Sequence, residues 1–342
     1  VTETPRVLVI QTAFLGDVVL TTPLLRAVKD RWPASHLAAL VIPETAAVLE
    51  GLPFLDEIIV HDKRGRGLRE LARVLREVRA RRFDVVISPH RSARSSLIAW
   101  HSGAATRLGY DKSALPFLYT ARVPRGAAGH ETERILALGA KIGIIGVGGR
   151  PCLAVRPEER VAARRTAGRG PFVVLSPSSV WATKRWTPEG FAAVGDNLAG
   201  QGYGVILVGT AADRAITGAV AGAMAAPVRD LAGETTVREL AALIAEAALV
   251  VANDSAPVHV AAAFDTPTVA IFGATVPGQG FGPLASRAAV AEVTGITCRP
   301  CGPHGGAHCP KKHFRCMRDL PPADVNAATA KVLAKTPPRK EV

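Results

Sequence analysis

"VIQTAFLGDVVLTTPLLRAV" (residues 9–28) reads as a buried strand, a short turn and a helix. The apolar run of "RVLVIQ" (6–11) has strand length, and the apolar residues that follow it recur at helical spacing. Such a unit presents free backbone N–H groups and a partial positive charge at the start of its helix, a natural seat for an anion. Here the turn holds a single glycine, Gly16, followed directly by Asp17. The chain thus places its own carboxylate where a phosphate would otherwise sit.

Outward from this unit, strands and amphipathic helices alternate. "HLAALVI" (36–42), "EIIVHD" (57–62) and "FDVVISP" (83–89) read as strands. "LRELARVLREVRARR" (68–82) places Leu68, Leu71, Leu75 and Val78 on one helical stripe. The rhythm breaks over 143–171, a stretch rich in Gly, Pro and Arg with one short helix expected at 157–166. It then resumes with strands at 172–179, 204–210, 248–254 and 266–273 and helices at 188–200, 213–224, 236–247 and 257–264. A last helix is expected near 322–335. The class is therefore α/β: two Rossmann-like domains with parallel sheets, at 1–160 and 161–325, and a C-terminal helix and tail at 326–342. Parallel sheets bind ligands beyond the carboxyl ends of their strands, so two such sheets facing a central cleft would share one site.

Composition narrows the function. At 342 residues, 48% hydrophobic and 21% charged, the chain is globular and long enough for two cores. No apolar run reaches membrane-spanning length. "VTETPRVLVIQ" lacks a basic, then apolar leader pattern, and a cytoplasmic protein is expected. The net charge is +13, and residues 1–150 hold 22 bases against 14 acids. That surplus suits an anionic partner: a phosphorylated substrate, an acidic membrane face or nucleic acid. A basic nucleic-acid-binding protein is the weakest of these. Aromatic residues are only 5% of the chain, and no recognised binding motif accompanies the bases.

Three strand-end loops in the second half carry diphosphate chemistry. In "ALVVANDSAPVHVAAAF" (248–264) a strand ends at Asn253-Asp254-Ser255, and Pro257 suits the first turn of the next helix. Asp254 or Ser255 would cap that helix, and His259 lies one turn on. In "VVLSPSSVWATKRWTPEGF" (173–191) the hydroxyls of Ser176, Ser178 and Ser179 precede Lys184 and Arg185. "LVGTAADR" (207–214) is a third such turn. Hydroxyls, free amides and a lysine can hold a diphosphate without a Walker loop. No G-x-G-x-x-G follows strand 6–11, and neither G-x-x-x-x-G-K-[ST] nor G-x-S-x-G occurs, which argues against a dinucleotide dehydrogenase, a P-loop NTPase and an α/β-hydrolase.

"GDVVLTTPLL", "SPSSVWATKRW" and "NDSAPVHVAAAFDTPTVAIFG", in that order, resemble the ADP-heptose:lipopolysaccharide heptosyltransferases. "NDSAPVH" and the C-terminal "CRPCG…CP…RCM" look most like the heptosyltransferase II type, and the resemblance covers about residues 6–325. It implies a GT-B fold, with acceptor in the first domain and ADP-heptose in the second, and inverting transfer that requires no metal. It implies Asp17 as catalytic base and Ser178, Ser179 and Lys184 at the ADP diphosphate, with Lys184 also assisting departure. Asp254, Ser255, Ala256 and His259 match the donor loop, although Ala256 stands where many members have glycine. Lys63, Arg64, Arg66, Arg91 and Arg94 are expected to bind the phosphorylated lipid A–core acceptor and bring the enzyme to the cytoplasmic face of the inner membrane. Other GT-B transferases or sugar-nucleotide epimerases are the alternative.

Cys298, Cys301, Cys309 and Cys316 lie within "CRPCGPHGGAHCPKKHFRC". A C-x₂-C start in a cytoplasmic chain suggests metal before disulfides. Four thiolates could close a structural zinc site, although C-x₆-C departs from the usual second pair.

Overall fold

The structure is a computed structural model that describes residues 4–63, 67–126, 129–146 and 149–334. The chain divides into two compact units, Val1–Ala154 and Val155–Val342. The division falls inside the expected 143–171 junction.

The first unit runs β1 (Arg6–Ile10), α1 (Leu15–Arg31), β2 (His36–Val41), α2 (Pro43–Ala46), β3 (Glu57–Val60), α3 (Gly67–Ala80), β4 (Val85–Ser88), α4 (Ala93–His101), β5 (Thr106–Tyr110), β6 (Ala121–Val123) and α5 (Glu131–Ala140). Its sheet has the order β3-β2-β1-β4-β5-β6, with every neighbouring pair parallel. In register, Leu8 lies beside Ala38 on one side and Val86 on the other. The central strand is covered on both faces, and Val7 to Ile10 are all buried, as a near-continuous apolar run requires.

Helix α1 is buried along most of its length although it contains Pro23. A proline cannot donate to the carbonyl four residues back, that of Val19. The Thr22 hydroxyl fills the gap, donating to the Val19 carbonyl at 2.7 Å. On α3 the buried positions are Glu70, Val74 and Val78, with Leu71 and Leu75 packed alongside. The expected stripe is therefore corrected at its start. Leu68 is 84% exposed, because it lies in the first turn, beyond the reach of the core that Val74 and Val78 enter.

The second unit runs α6 (Pro157–Ala167), β7 (Phe172–Ser176), α7 (Pro188–Gly200), β8 (Gly204–Leu207), α8 (Arg214–Ala223), β9 (Val228–Asp230), α9 (Val237–Glu246), β10 (Leu249–Asn253), α10 (Ala256–Phe264), β11 (Thr268–Phe272), β12 (Ala288–Glu292), α11 (Arg315–Arg318) and α12 (Pro322–Ala334). Its sheet, again all parallel, has the order β12-β11-β10-β7-β8-β9. Helix α6 joins this unit by packing on α9, where Glu159 pairs with Arg238 and Glu246 with Arg160 and Arg164.

Counted within each unit, the two strand orders are the same doubly wound order. The direction of winding reverses between β1 and β4 in the first unit and between β7 and β10 in the second. At such a point the helices following the two strands go to opposite faces, leaving a crevice at the carboxyl ends that suits a ligand.

Candidate active site

The first crevice is built from the ends of β1 and β4. The turn after β1 leads into α1, whose N-cap is Phe14 and makes no side-chain cap. Asp17 is the third residue of the helix, half-buried. Burial, followed by the neighbouring Glu131 carboxylate, pushes its pKa up from 3.8 to about 6. The backbone amides of Phe14 and Asp17 and the charge of Arg125 pull the other way. Glu131 is itself gripped by a two-pronged Arg125 fork, at 2.8 Å on each oxygen, and by Arg134 at 3.2 Å. Asp17 is thus a carboxylate whose ordinary acidity has been reduced by desolvation.

The end of β4 contributes His90, a residue that the sequence pattern does not single out. His90 Nδ1 lies 2.8 Å from the hydroxyls of both Thr12 and Ser95. Burial, then the charges of Lys63 and Arg91, lower its pKa to about 4, so the ring is neutral at neutral pH. Lys63 Nζ donates to the Thr12 carbonyl at 2.6 Å, and Arg94 donates to the Lys63 carbonyl at 3.0 Å. Lys63, Arg91 and Arg94 therefore gather around Thr12 and His90. Arg64 and Arg66 lie outside the described residues. The signal for His90 was present in "SPHRSARS", directly after a buried strand. A lone histidine just ahead of two arginines does not reveal that it will be neutral and flanked by hydroxyls.

The second crevice is built from the ends of β7 and β10. Ser178 and Ser179 are buried just beyond β7, and Lys184 closes a 3-10 turn at Ala182–Lys184. Lys184 Nζ pairs with Asp254 Oδ2 at 2.7 Å, and the same oxygen accepts from the Thr275 hydroxyl at 2.6 Å. Asn253 ties the two loops together: it accepts from the Trp186 amide at 3.1 Å and donates to the Pro177 carbonyl at 2.8 Å.

Ser255 occupies the N-cap position of α10 but makes no side-chain cap; its hydroxyl donates to the Asn253 carbonyl instead. Asp254 is likewise engaged elsewhere. Neither residue that could cap the helix does so; Pro257 has no N–H, and the Val258 amide donates to the Ser255 carbonyl at 3.1 Å. His259, one turn in, is buried with its ring 6.2 Å from that of Phe281. Of the two indoles in this loop region, Trp186 is core: it is buried, contacts Phe191 edge-on and donates to the Leu320 carbonyl. The third strand-end turn is closed on itself, since Asp213 accepts from both the amide and the hydroxyl of Thr210.

Comparison with known proteins gives the family. Residues 71–309 match the model of glycosyltransferase family 9 (heptosyltransferase). The chain belongs to this family. It is similar to a lipopolysaccharide heptosyltransferase 3 of Escherichia coli, 29% identical over 278 residues that span 77% of this chain and 82% of the relative. Its fold is that of a glycosyl transferase family 9 structure from Veillonella parvula, with a TM-score of 0.86 at 24% identity, covering 97% and 98% of the two chains. It is likewise that of the E. coli ADP-heptose lps heptosyltransferase II, with a TM-score of 0.80 at 24% identity over 96% and 99%. The enzyme is a glycosyltransferase of GT-B-like, two-sheet architecture.

The cysteine segment packs in the second unit next to the donor-type loops. The Cys301 amide donates to the Ala274 carbonyl at 2.8 Å, and Gly306 exchanges hydrogen bonds with Thr183. All five cysteines are free. Cys298 Sγ lies 3.7 Å from His313 Nε2, and burial, followed by the neighbouring thiols, pushes the Cys301 thiol up and that of Cys316 to about 11. Among the described residues, however, no three Cys, His, Asp or Glu side chains are arranged to hold a metal ion. The residues as placed do not fit the expected zinc, and no step of the reaction is routed through one.

Proposed function

We propose that this glycosyltransferase moves a heptose from ADP-heptose to the phosphorylated inner core of lipopolysaccharide, with inversion and without a catalytic metal, in the manner of a heptosyltransferase II. One observation carries the reading. The two topological switch points hold complementary chemistry, a base in the first unit and a lysine with an uncapped helix N-terminus in the second. The lipopolysaccharide heptosyltransferases to which the chain is similar suggest the substrate class.

In this reading the Asp17 carboxylate takes the proton from an acceptor hydroxyl. That oxygen attacks the anomeric carbon as the bond to ADP breaks, and the bonding pair leaves with the diphosphate. With a pKa of about 6, Asp17 is ionised at neutral pH and still basic enough to accept a proton from a developing oxonium. Ser178, Ser179, Lys184 and the positive N-terminal end of α10 receive the charge on the diphosphate, work that a divalent cation performs in other transferases. Asp254 acts through Lys184: held by Thr275, it fixes where the ammonium stands.

Lys63, Arg91 and Arg94 take the acidic groups of the acceptor, and neutral His90 offers a hydrogen bond to a sugar hydroxyl without adding charge. Among the described residues no helix is long and apolar enough to cross a membrane. The proposal places the enzyme on the cytoplasmic side, reaching its lipid-linked acceptor from the membrane surface.

The test is a mass-spectrometric transfer assay with ADP-heptose and graded core acceptors, run on the wild type and Asp17→Asn. Transfer that depends on ADP-heptose and is lost in Asp17→Asn supports the reading. Normal turnover by a folded Asp17→Asn protein overturns the base assignment.

A further inference from the structure

Helix α4 is turned inside out on its solvent side. Its buried positions are Ser95, Ser96, Ile98 and Ala99, whereas Ala93, Leu97 and Trp100, all apolar, are exposed along one face. Leu97 is 36% exposed and Trp100 53%. A solvent-facing helical stripe is ordinarily polar. The stripe continues onto the segment that packs against α4, the 3-10 turn Pro116–Leu118, where Phe117 is 71% exposed. Two bonds fix that neighbourhood: Ser96 Oγ lies 3.1 Å from the Tyr119 hydroxyl, and the Ala114 amide donates to the Arg91 carbonyl at 2.9 Å.

The apolar surface has a cationic rim. Arg79, Trp100, His101, Gly103 and Arg107 line one hollow at the C-terminal end of α4. The Arg79 guanidinium lies where a side chain on Gly103 would be, and Gly103 also has φ +72°. Arg107 spans from this hollow to the 3-10 turn by donating to the Leu118 carbonyl at 3.0 Å. Residues 91–125 hold six Lys or Arg against one acid, Asp111.

We propose that α4 and the Pro116–Leu118 turn form a face that docks on an anionic phospholipid surface, Leu97, Trp100 and Phe117 entering the headgroup region and Arg79 and Arg107 meeting lipid phosphates. An exposed indole among aliphatic residues beside arginines suits the interface between headgroups and acyl chains. Shallow apolar insertion combined with electrostatic attraction is how a surface of this kind binds without spanning. The inference rests on the proposed lipid-linked acceptor for its purpose, because the same helix begins at the acceptor crevice, with Arg94 in its first turn. From Ala93 to Trp100 it advances about 10 Å. The face would therefore hold the crevice at the surface from which the acceptor projects.

The experiment is co-sedimentation of the full chain with phosphatidylglycerol-containing vesicles and with phosphatidylcholine vesicles. The wild type should pellet with the first, several-fold less with the second, and less as salt rises. Trp100→Ser/Phe117→Ser should bind the anionic vesicles about tenfold more weakly, with ADP affinity unchanged as the control for folding. Arg79→Gln, a milder surface change, should weaken binding about threefold. The proposal is overturned if the wild type ignores anionic vesicles, if it binds both kinds equally, or if the two variants bind as the wild type does. It is also overturned if the face instead mediates a dimer that the double variant disperses. Transfer to a deacylated, water-soluble acceptor should survive in the double variant while transfer to the vesicle-borne acceptor falls. If no heptosyl transfer is detected on either acceptor, the proposed function fails and the vesicle binding still stands or falls by itself.

Discussion

Two helix N-termini, one in each unit, follow strands that flank the switch point of their sheet, α1 after the first strand of its unit and α10 after the fourth of its own, and they are finished in opposite ways. In α1 the first turn holds Asp17, a carboxylate bathed by its own helix amides and pushed toward protonation by burial. In α10 the two residues able to cap the helix are diverted, Asp254 to Lys184 and Thr275, and Ser255 to the Asn253 carbonyl. The first end is thereby hostile to a phosphate and suited to taking a proton. The second has no side-chain cap and has beside it a lysine paired with Asp254. One kind of strand-to-helix turn thus presents different chemistry through the side chains placed around it.

The largest expected effect breaks the first end. Asp17→Asn should lower kcat by about 10²–10⁴-fold, the range for loss of a general base, and leave ADP affinity near that of the wild type. Steady-state kinetics with calorimetric ADP binding checks both halves, and a matching loss of ADP affinity would blur the distinction between the two ends.

Next in size, Lys184→Ala should weaken ADP binding by about 10–100-fold, consistent with losing a charge-assisted contact to phosphate. Asp254→Asn should move kcat and donor KM in the same direction by less. Because Asp254 acts through Lys184, combining the two changes should cost less than the sum of their separate effects, which a double-mutant cycle measures.

The pH dependence sharpens the contrast. Folded Asp17 keeps its proton up to about pH 6, whereas the unfolded chain releases it near 3.8. The native state therefore binds the extra proton between those values, and this carboxylate makes the protein less stable as pH rises through the window. Above pH 6 the full penalty applies, of about 1–3 kcal/mol. Asp17→Asn should accordingly melt a few degrees higher than the wild type at pH 7.5, with the gap closing toward pH 4. The wild-type kcat/KM for acceptor should fall below about pH 6. Thermal melts and a pH–rate profile test the two signs together.

The smallest effect concerns His90. His90→Ala should raise acceptor KM by about 3–10-fold, as loss of one neutral hydrogen bond would, without altering donor KM. A change in donor KM instead would remove His90 from the acceptor group.

Much of this organisation was legible in the sequence. The helices at 157–167, 188–200 and 322–334 lie within a residue or two of where spacing, proline and glycine put them, and the long apolar strands start within about two residues, although the expected strands 172–179 and 204–210 end three residues earlier, at Ser176 and Leu207. The short or polar elements were not. β5 (TRLGY) carries an arginine and a glycine, β12 (AAVAE) is mostly alanine, and α4 (ARSSLIAWH) buries serines while exposing leucine and tryptophan. Their patterns are weak because tertiary neighbours, rather than local preference, hold them in place. At the candidate site, Asp17, Ser178, Ser179, Lys184 and Asp254 were identifiable by type and position, but His90 was not.

What the sequence by itself determined is local: alternating elements, strand ends rich in hydroxyls and charge, and an acid at the head of the first helix. These follow from periodicities of two and 3.6 residues and from the special backbones of glycine and proline. The tertiary structure decided the rest. It set the strand order that makes β1/β4 and β7/β10 the crevices and brought Thr12 to His90 across 78 residues of chain. It also paired Lys184 with Asp254 across 70 and buried Asp17 beside Glu131 until its acidity changed. Such contacts depend on which surfaces exclude water together, and that is a property of the folded chain, not of any window along it.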